Sequence, residues 1–199
     1  MGILFAFEMI GTVAFAVSGA CAAIEKEMDI FGVAILGTTT AVGGGIIRDL
    51  LLGVIPPAAF REPVYALAAI LISLLIFLPG IRRLAVREGN RVLLVMDSVG
   101  LAVFTVVGVR AGMVYGNIFL AVFVGVLTGV GGGVLRDLFA GDRPYIFVKH
   151  FYACASLTGA LITALCWPLG ETISMSAGAV PIVILRLLAA KYRWSLPRA

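Results

Sequence analysis

Charge is scarce in this chain. Asp, Glu, Lys and Arg make up 13% of its 199 residues, about half the share usual in a soluble domain. Histidine is nearly absent: His150, beside Lys149, is the only one. With no second histidine and no cysteine pair, a structural zinc site is excluded. The three cysteines, Cys21, Cys154 and Cys166, are odd in number and fit no disulfide or metal spacing, so they read as small apolar packing residues. A nucleophile–base pair, a phosphate-binding loop and a metal-ligand set are all missing, which argues against an enzyme and against any cofactor. The net charge of +4 is too dilute for a nucleic-acid surface, where Lys and Arg cluster on one face. What fills the chain instead is apolar: 61% of residues, with a mean hydropathy of +1.11. A disordered chain is excluded, and a small all-α polytopic membrane protein of one domain remains.

The first 24 residues offer small residues at Ala20-Cys21-Ala22-Ala23 but lack the basic start of a signal peptide and carry Glu8 instead. They read as part of the fold. Stretches of about 20 apolar residues, enough to cross a bilayer, recur seven times, at about 4–24, 29–50, 61–79, 91–111, 117–138, 149–168 and 172–191. Gly, Pro or charged residues separate them, notably Glu25-Lys26-Glu27, Pro56-Pro57, Pro79-Gly80 before Arg82 and Arg83, Tyr115-Gly116-Asn117, Gly141-Asp142-Arg143-Pro144 and Pro168-Leu169-Gly170. Seven crossings put the termini on opposite sides. Lys26, Arg82, Arg83, Arg87, Arg91, Arg136, Arg143, Lys149, Arg186, Lys191, Arg193 and Arg198 share the side of the C-terminus, leaving Arg48, Arg61 and Arg110 on the other. The positive-inside rule then predicts a cytoplasmic C-terminus and an outside N-terminus; the expected location is a cell (inner) membrane.

The sequence also repeats itself. Gly43-Gly44-Gly45-Ile46-Ile47-Arg48-Asp49-Leu50 returns 88 residues later as Gly131-Gly132-Gly133-Val134-Leu135-Arg136-Asp137-Leu138. Phe31, Gly37, Thr40, Gly53 and Pro56 match Phe119, Gly125, Thr128, Gly141 and Pro144 at the same offset. Gly11, Phe15 and Gly19 match Gly100, Phe104 and Gly108 at an offset of 89. Repeats of about 4–80 and 91–168 hold three spans each. An odd number reverses direction, so the predicted fold is a 3+3 inverted repeat with a seventh helix at about 172–191. Inverted repeats with glycine-interrupted helices at matching positions point to a permeation or substrate site at the midplane.

Three glycines in a row cost a helix about 1 kcal/mol each relative to Ala. The second and fifth spans are therefore predicted to kink or unwind near Gly43–Gly45 and Gly131–Gly133, against protein or a water-filled cavity. Freed carbonyls there could hold a passing cation. Arg48-Asp49 and Arg136-Asp137 follow each break, and ionisable residues at such depth face a bundle interior or a cavity. The competing reading is packing. Gly37, Ala41 and Gly45, and Ala121, Gly125, Gly129 and Gly133, form small-residue rows that let helices approach closely. Of the run Thr38-Thr39-Thr40, Thr40 has a counterpart in Thr128; these hydroxyls either line the path or bond their own helix. Glu8 and Asp97, near the starts of the first and fourth spans, read as acids of two vestibules at opposite faces, or as acids at helix starts. Arg110 has no counterpart in the repeat and is expected to pair with Asp49 or Glu8, or to reach outward. The seventh span, with Pro181, is assigned to support or subunit contact. Its end from Arg186 to Arg193, with Tyr192 and Trp194, reads as an anchor facing lipid.

The doubled GGGxxRD motif, the seven spans and the outside N-terminus together resemble the prokaryotic TRIC (trimeric intracellular cation channel) family, also known as the UPF0126 or glycine transporter domain family. The resemblance covers nearly the whole chain. It implies a homotrimer in membrane lipid, with a path for K⁺ and Na⁺ through each protomer, lined by the kinked second and fifth spans with the first and fourth beside them. Permeant ions aside, it implies no bound metal. A Lys-Glu-Val motif accompanies lipid binding in animal members; here Lys26-Glu27 is followed by Met28, so that property is not carried over. The alternative function is a secondary transporter for a small solute such as glycine, which the same inverted design supports.

Overall fold

The computed structural model describes residues 2–148 and 151–194; Lys149, His150 and Arg198 lie outside them. Among the described residues the chain is helical, without strands. Five helices are long and apolar enough to cross a membrane: α1 (Gly2–Glu25), α2 (Ile30–Leu51), α5 (Pro79–Met113), α6 (Ile118–Phe139) and α9 (Glu171–Tyr192). The third and sixth expected spans, about 61–79 and 149–168, hold shorter helices than expected. A one-turn helix, α3 (Ala58–Arg61) or α7 (Tyr145–Val148), precedes a 14-residue helix, α4 (Val64–Phe77) or α8 (Tyr152–Leu165). Fourteen residues rise about 21 Å, short of a hydrocarbon core of about 30 Å.

The helices alternate in direction. One face of the bundle collects the start of α1, the ends of α2 and α5 and the start of α9; the opposite face collects the end of α1, the ends of α6 and α9 and the start of α5. The first three spans and the next three thus carry equivalent groups at opposite faces. Local chemistry repeats as well. Asp29 Oδ1 caps α2 by accepting from Gly32 N at 2.7 Å, and Asn117 Oδ1 caps α6 by accepting from Leu120 N at 3.0 Å. Gly53 and Gly141, just past α2 and α6, take φ of 69° and 73°, a left-handed turn that a side chain would strain.

Two sequence expectations change. Pro79-Gly80 does not end a helix but begins one: Pro79 stands in the first turn of α5, where its missing N–H costs nothing. Residues expected in a loop are helical, and α5, at 35 residues or about 52 Å, is longer than a bilayer needs. Its extension carries the exposed Arg82, Arg83, Arg87 and Arg91. Second, α2 and α6 stay helical through Gly43–Gly45 and Gly131–Gly133, so the backbone does not unwind there. Gly44 and Gly132 serve close approach of the two backbones. The second half of α5, from Asp97 to Gly112, is the most enclosed stretch of the five long helices. Leu67, Leu71, Phe119 and Phe123 point outward, as side chains facing lipid do.

Candidate functional site

The centre of the molecule is the crossing of α2 and α6. A Cβ on Gly44 would strike the carbonyl oxygen of Thr128, and one on Gly132 would strike that of Thr40. The contact is reciprocal, since Gly44 and Thr40 stand 88 residues before Gly132 and Thr128. Each helix lays a bare backbone edge on the other, as small-residue rows allow. The other glycines of each triplet differ. Gly43 faces Leu135, and Gly131 faces Gly44. Gly45 has open space, with Arg48 Nη2 3.9 Å from where a Cβ would stand, whereas Gly133 is filled by Tyr152 Oη and approached by Asp97. Gly45→Ala should therefore fold normally and gain up to about 1 kcal/mol of helix propensity; a thermal melt of the detergent-solubilised protein checks this.

Thr40 and Thr128 are fully buried. Each hydroxyl donates to the carbonyl four residues back, Leu36 for Thr40 and Val124 for Thr128, both at 2.6 Å. Gly125 and Gly129 pack α6 against Thr105 and Val109 of α5, and Gly37 packs α2 against Ser73 of α4.

Beyond the crossing, each helix ends in its Arg-Asp pair, and the two pairs share one design. Arg48 Nε donates to Asp49 Oδ1 at 2.8 Å, and Arg136 Nε to Asp137 Oδ1 at 2.9 Å. The second oxygen of each carboxylate accepts from the first free N–H of the following one-turn helix: Ala58 N to Asp49 Oδ2 and Tyr145 N to Asp137 Oδ2, both at 2.7 Å. A carboxylate there satisfies an orphan donor and suits the positive end of the helix.

The surroundings of the two pairs differ sharply. At the face where α1 begins, Arg48 and Asp49 border a cavity of about 40 Å³ lined also by Glu8, Thr12, Gly45 and Tyr65. Tyr65 Oη donates to Glu8 Oε2 at 2.7 Å. Glu8 and Tyr65 also line a wider depression of about 980 Å³ with Glu62, Arg110 and Glu171. Three acids against one base make its field attractive to cations. Arg110 donates to Glu171 Oε1 at 2.6 Å, so its partner is neither Asp49 nor Glu8.

At the opposite face the space is filled. Asp97, 0% exposed, accepts from Arg136 Nη1 at 2.7 Å, Tyr152 Oη at 3.2 Å and Arg186 Nη2 at 3.1 Å. Arg136 also donates to Ser18 Oγ at 2.6 Å. Its guanidinium stacks over the Tyr145 ring, and that of Arg186 over Tyr152. Two guanidiniums and the carboxylates of Asp97 and Asp137 balance in charge, as burial at this depth demands. Of the two acids expected at vestibules, Glu8 borders open space and Asp97 is enclosed. Arg186 is not a lipid-facing anchor: it is 0% exposed, and α9 delivers it to Asp97. The signal was its depth, with Leu187, Leu188, Ala189 and Ala190 separating it from Lys191. Tyr65, Tyr152 and Ser18 escaped the sequence reading, being ordinary residues in apolar spans. Nearer the surface, Lys26 Nζ donates to Asp142 Oδ1 at 2.6 Å, linking two loops; that hydrogen bond holds the ammonium above its ordinary pKa.

A family model described as glycine transporter matches the chain twice, over residues 5–79 and 94–168. The UPF0126 membrane protein YvgT of Bacillus subtilis is 40% identical over 191 residues, covering 96% of this chain and 93% of its own. The chain belongs to the TRIC (UPF0126) family. The UPF0126 inner membrane protein YadS of Escherichia coli is 38% identical, covering 98% of this chain and 95% of its own. Among solved structures, a TRIC cation channel studied for its conductance superposes with a TM-score of 0.88 at 38% identity, over 99% of this chain and 97% of that one. The TRIC orthologue of Rhodobacter sphaeroides, described as a trimeric intracellular cation channel, gives 0.89 at 33% identity over 98% and 100%. A TRIC counter-ion channel at 14% identity and a TM-score of 0.67 shares the fold. Like the UPF0126 relatives, which are described as membrane proteins, the chain is an all-helical membrane protein.

Proposed function

We propose that the protein is a passive channel for monovalent cations, K⁺ and Na⁺, with one path inside each protomer of a homotrimer. The path runs beside α2 and α6, with α1 and α5 forming the other wall. It enters through the acid-rich depression at Glu8, Glu62 and Glu171, passes Arg48-Asp49, and reaches the other face at Arg136-Asp137. The observation that carries this reading is the alignment of two Arg-Asp sites on either side of one glycine crossing, an open cavity at the first and a closed ion-pair cluster at the second. The described state is closed at Asp97. The TRIC channels of similar fold support the cation assignment. The Lys and Arg distribution supports an outside N-terminus and a cytoplasmic C-terminus, and the similar inner membrane protein YadS supports an inner-membrane location.

A second reading, a coupled transporter for a small solute such as glycine, draws on one feature: a site open to one face and sealed from the other is also how a transporter rests. Proteoliposomes loaded with KCl separate the two. Potassium release without added solute is expected. Saturable glycine uptake with no potassium leak would establish the transporter instead. Asp49→Asn should lower the potassium flux by weakening the negative field at the cavity; an unchanged flux removes Asp49 from the path.

A further inference from the structure

The two halves carry the same parts in different arrangements. At the closed face the parts are Arg136, Asp137, Asp97 and Tyr152. Their counterparts at the open face are Arg48, Asp49, Glu8 and Tyr65, at offsets of 88, 88, 89 and 87. Three of the four relationships are already the same: Arg to its own Asp, Asp to the one-turn helix, and tyrosine hydroxyl to the acid of the neighbouring span. One differs. Arg136 reaches Asp97, whereas among the described residues no ion pair joins Arg48 to Glu8. Both line the same cavity of about 40 Å³, which has room for a few waters.

We propose that Arg48 and Glu8 form a second gate, an outer ion pair that closes the open face as Arg136 and Asp97 close the other. This rests on the channel reading above and adds two gates in series to it. The motion required crosses the one cavity that both residues line. Arg48 is anchored through Nε on Asp49, so its Nη groups swing toward Glu8 about a fixed hinge while Tyr65 stays on the carboxylate. The extra methylene of glutamate over aspartate gives Glu8 reach across the cavity.

The same comparison says which gate holds at rest. Ser18, which bonds Arg136, has Val107 as its counterpart, which offers no hydrogen bond. Arg186 belongs to α9, which has no copy in the first half. The outer pair therefore has fewer partners and closes more weakly, in keeping with its being the open one here.

Single-channel recording tests the proposal in two backgrounds. In Asp97→Asn the inner gate is released, and the remaining long closures belong to the outer pair. Adding Glu8→Gln should raise the open-to-closed ratio about tenfold over Asp97→Asn alone, within the range of measured charge-pair couplings. The exchange Glu8→Arg with Arg48→Glu should bring the closures back, which a merely structural role would not do. If Asp97→Asn fails to fold, Tyr152→Phe, which weakens the inner gate by one hydrogen bond, replaces it as the background, and Glu8→Gln added there must shorten the remaining long closures. Cation currents whose closures are indifferent to Glu8→Gln and to the exchange overturn the second gate and leave the channel standing. The absence of any cation current in every variant overturns both.

Discussion

Replacing Asp97 with asparagine should open the closed face and loosen the fold at once. Asp97 is the carboxylate that Arg136 and Arg186 share, in a place where the guanidiniums are 1% and 0% exposed. Taking one partner from a buried ion pair leaves an uncompensated charge and costs about 3–5 kcal/mol. Asparagine keeps the size and one acceptor, so the loss is chiefly of charge. The excess positive charge should draw water into the site and separate Arg136 from α5. Two consequences follow: a lower melting temperature in detergent and a rise in open probability of tenfold or more, since each 1.4 kcal/mol moves an equilibrium tenfold. Tyr152→Phe removes only the 3.2 Å hydrogen bond to Asp97, worth about 1 kcal/mol. It should shift gating in the same direction but less, with the fold intact. A wild-type open probability in Asp97→Asn would mean that the cluster is a structural staple and no gate.

Gly44→Val and Gly132→Val should be the most damaging changes outside that cluster. At both positions the new side chain meets a backbone carbonyl of the facing helix, which cannot rotate away as a side-chain tip can. Either α2 and α6 separate or the residue is strained, and overpacking a well-filled interior costs about 1–3 kcal/mol or more. Because the two contacts are reciprocal, the two variants should lose similar amounts, measurable as lost monodisperse protein on size exclusion and a lowered melting temperature. Gly45→Ala, one residue away, is the control.

Much of this architecture is legible in the residues, because the bilayer leaves few options. Apolar runs of fixed length mark the long helices, and the doubled motif marks both Arg-Asp sites. What sequence reasoning misjudged was backbone behaviour. Three glycines read as a weak point when the helix is considered alone; beside a second helix they become the contact surface, and the helix persists. Pro79 reads as a stop, but a proline is harmless in a first turn, and α5 begins there. The one-turn helices ahead of the third and sixth spans were invisible because hydropathy does not register a single turn of helix. The partners of the cluster were hidden for another reason. Arg186 and Tyr152 approach Asp97 from α9 and α8, 89 and 55 residues away, and α9 has no repeat copy to betray its role. Asp49 and Asp137 stood out for their charge, yet their hold on the one-turn helices appears only with the backbone in view.

The central claim is a cation path through each protomer, shut at Asp97. Recording from the purified wild-type protein in a planar bilayer with unequal KCl on the two sides tests it most directly. Discrete unitary currents that reverse near the potassium equilibrium potential are the expected result, with openings that lengthen in Asp97→Asn. A bilayer that stays silent while the same preparation accumulates solute in vesicles would contradict it.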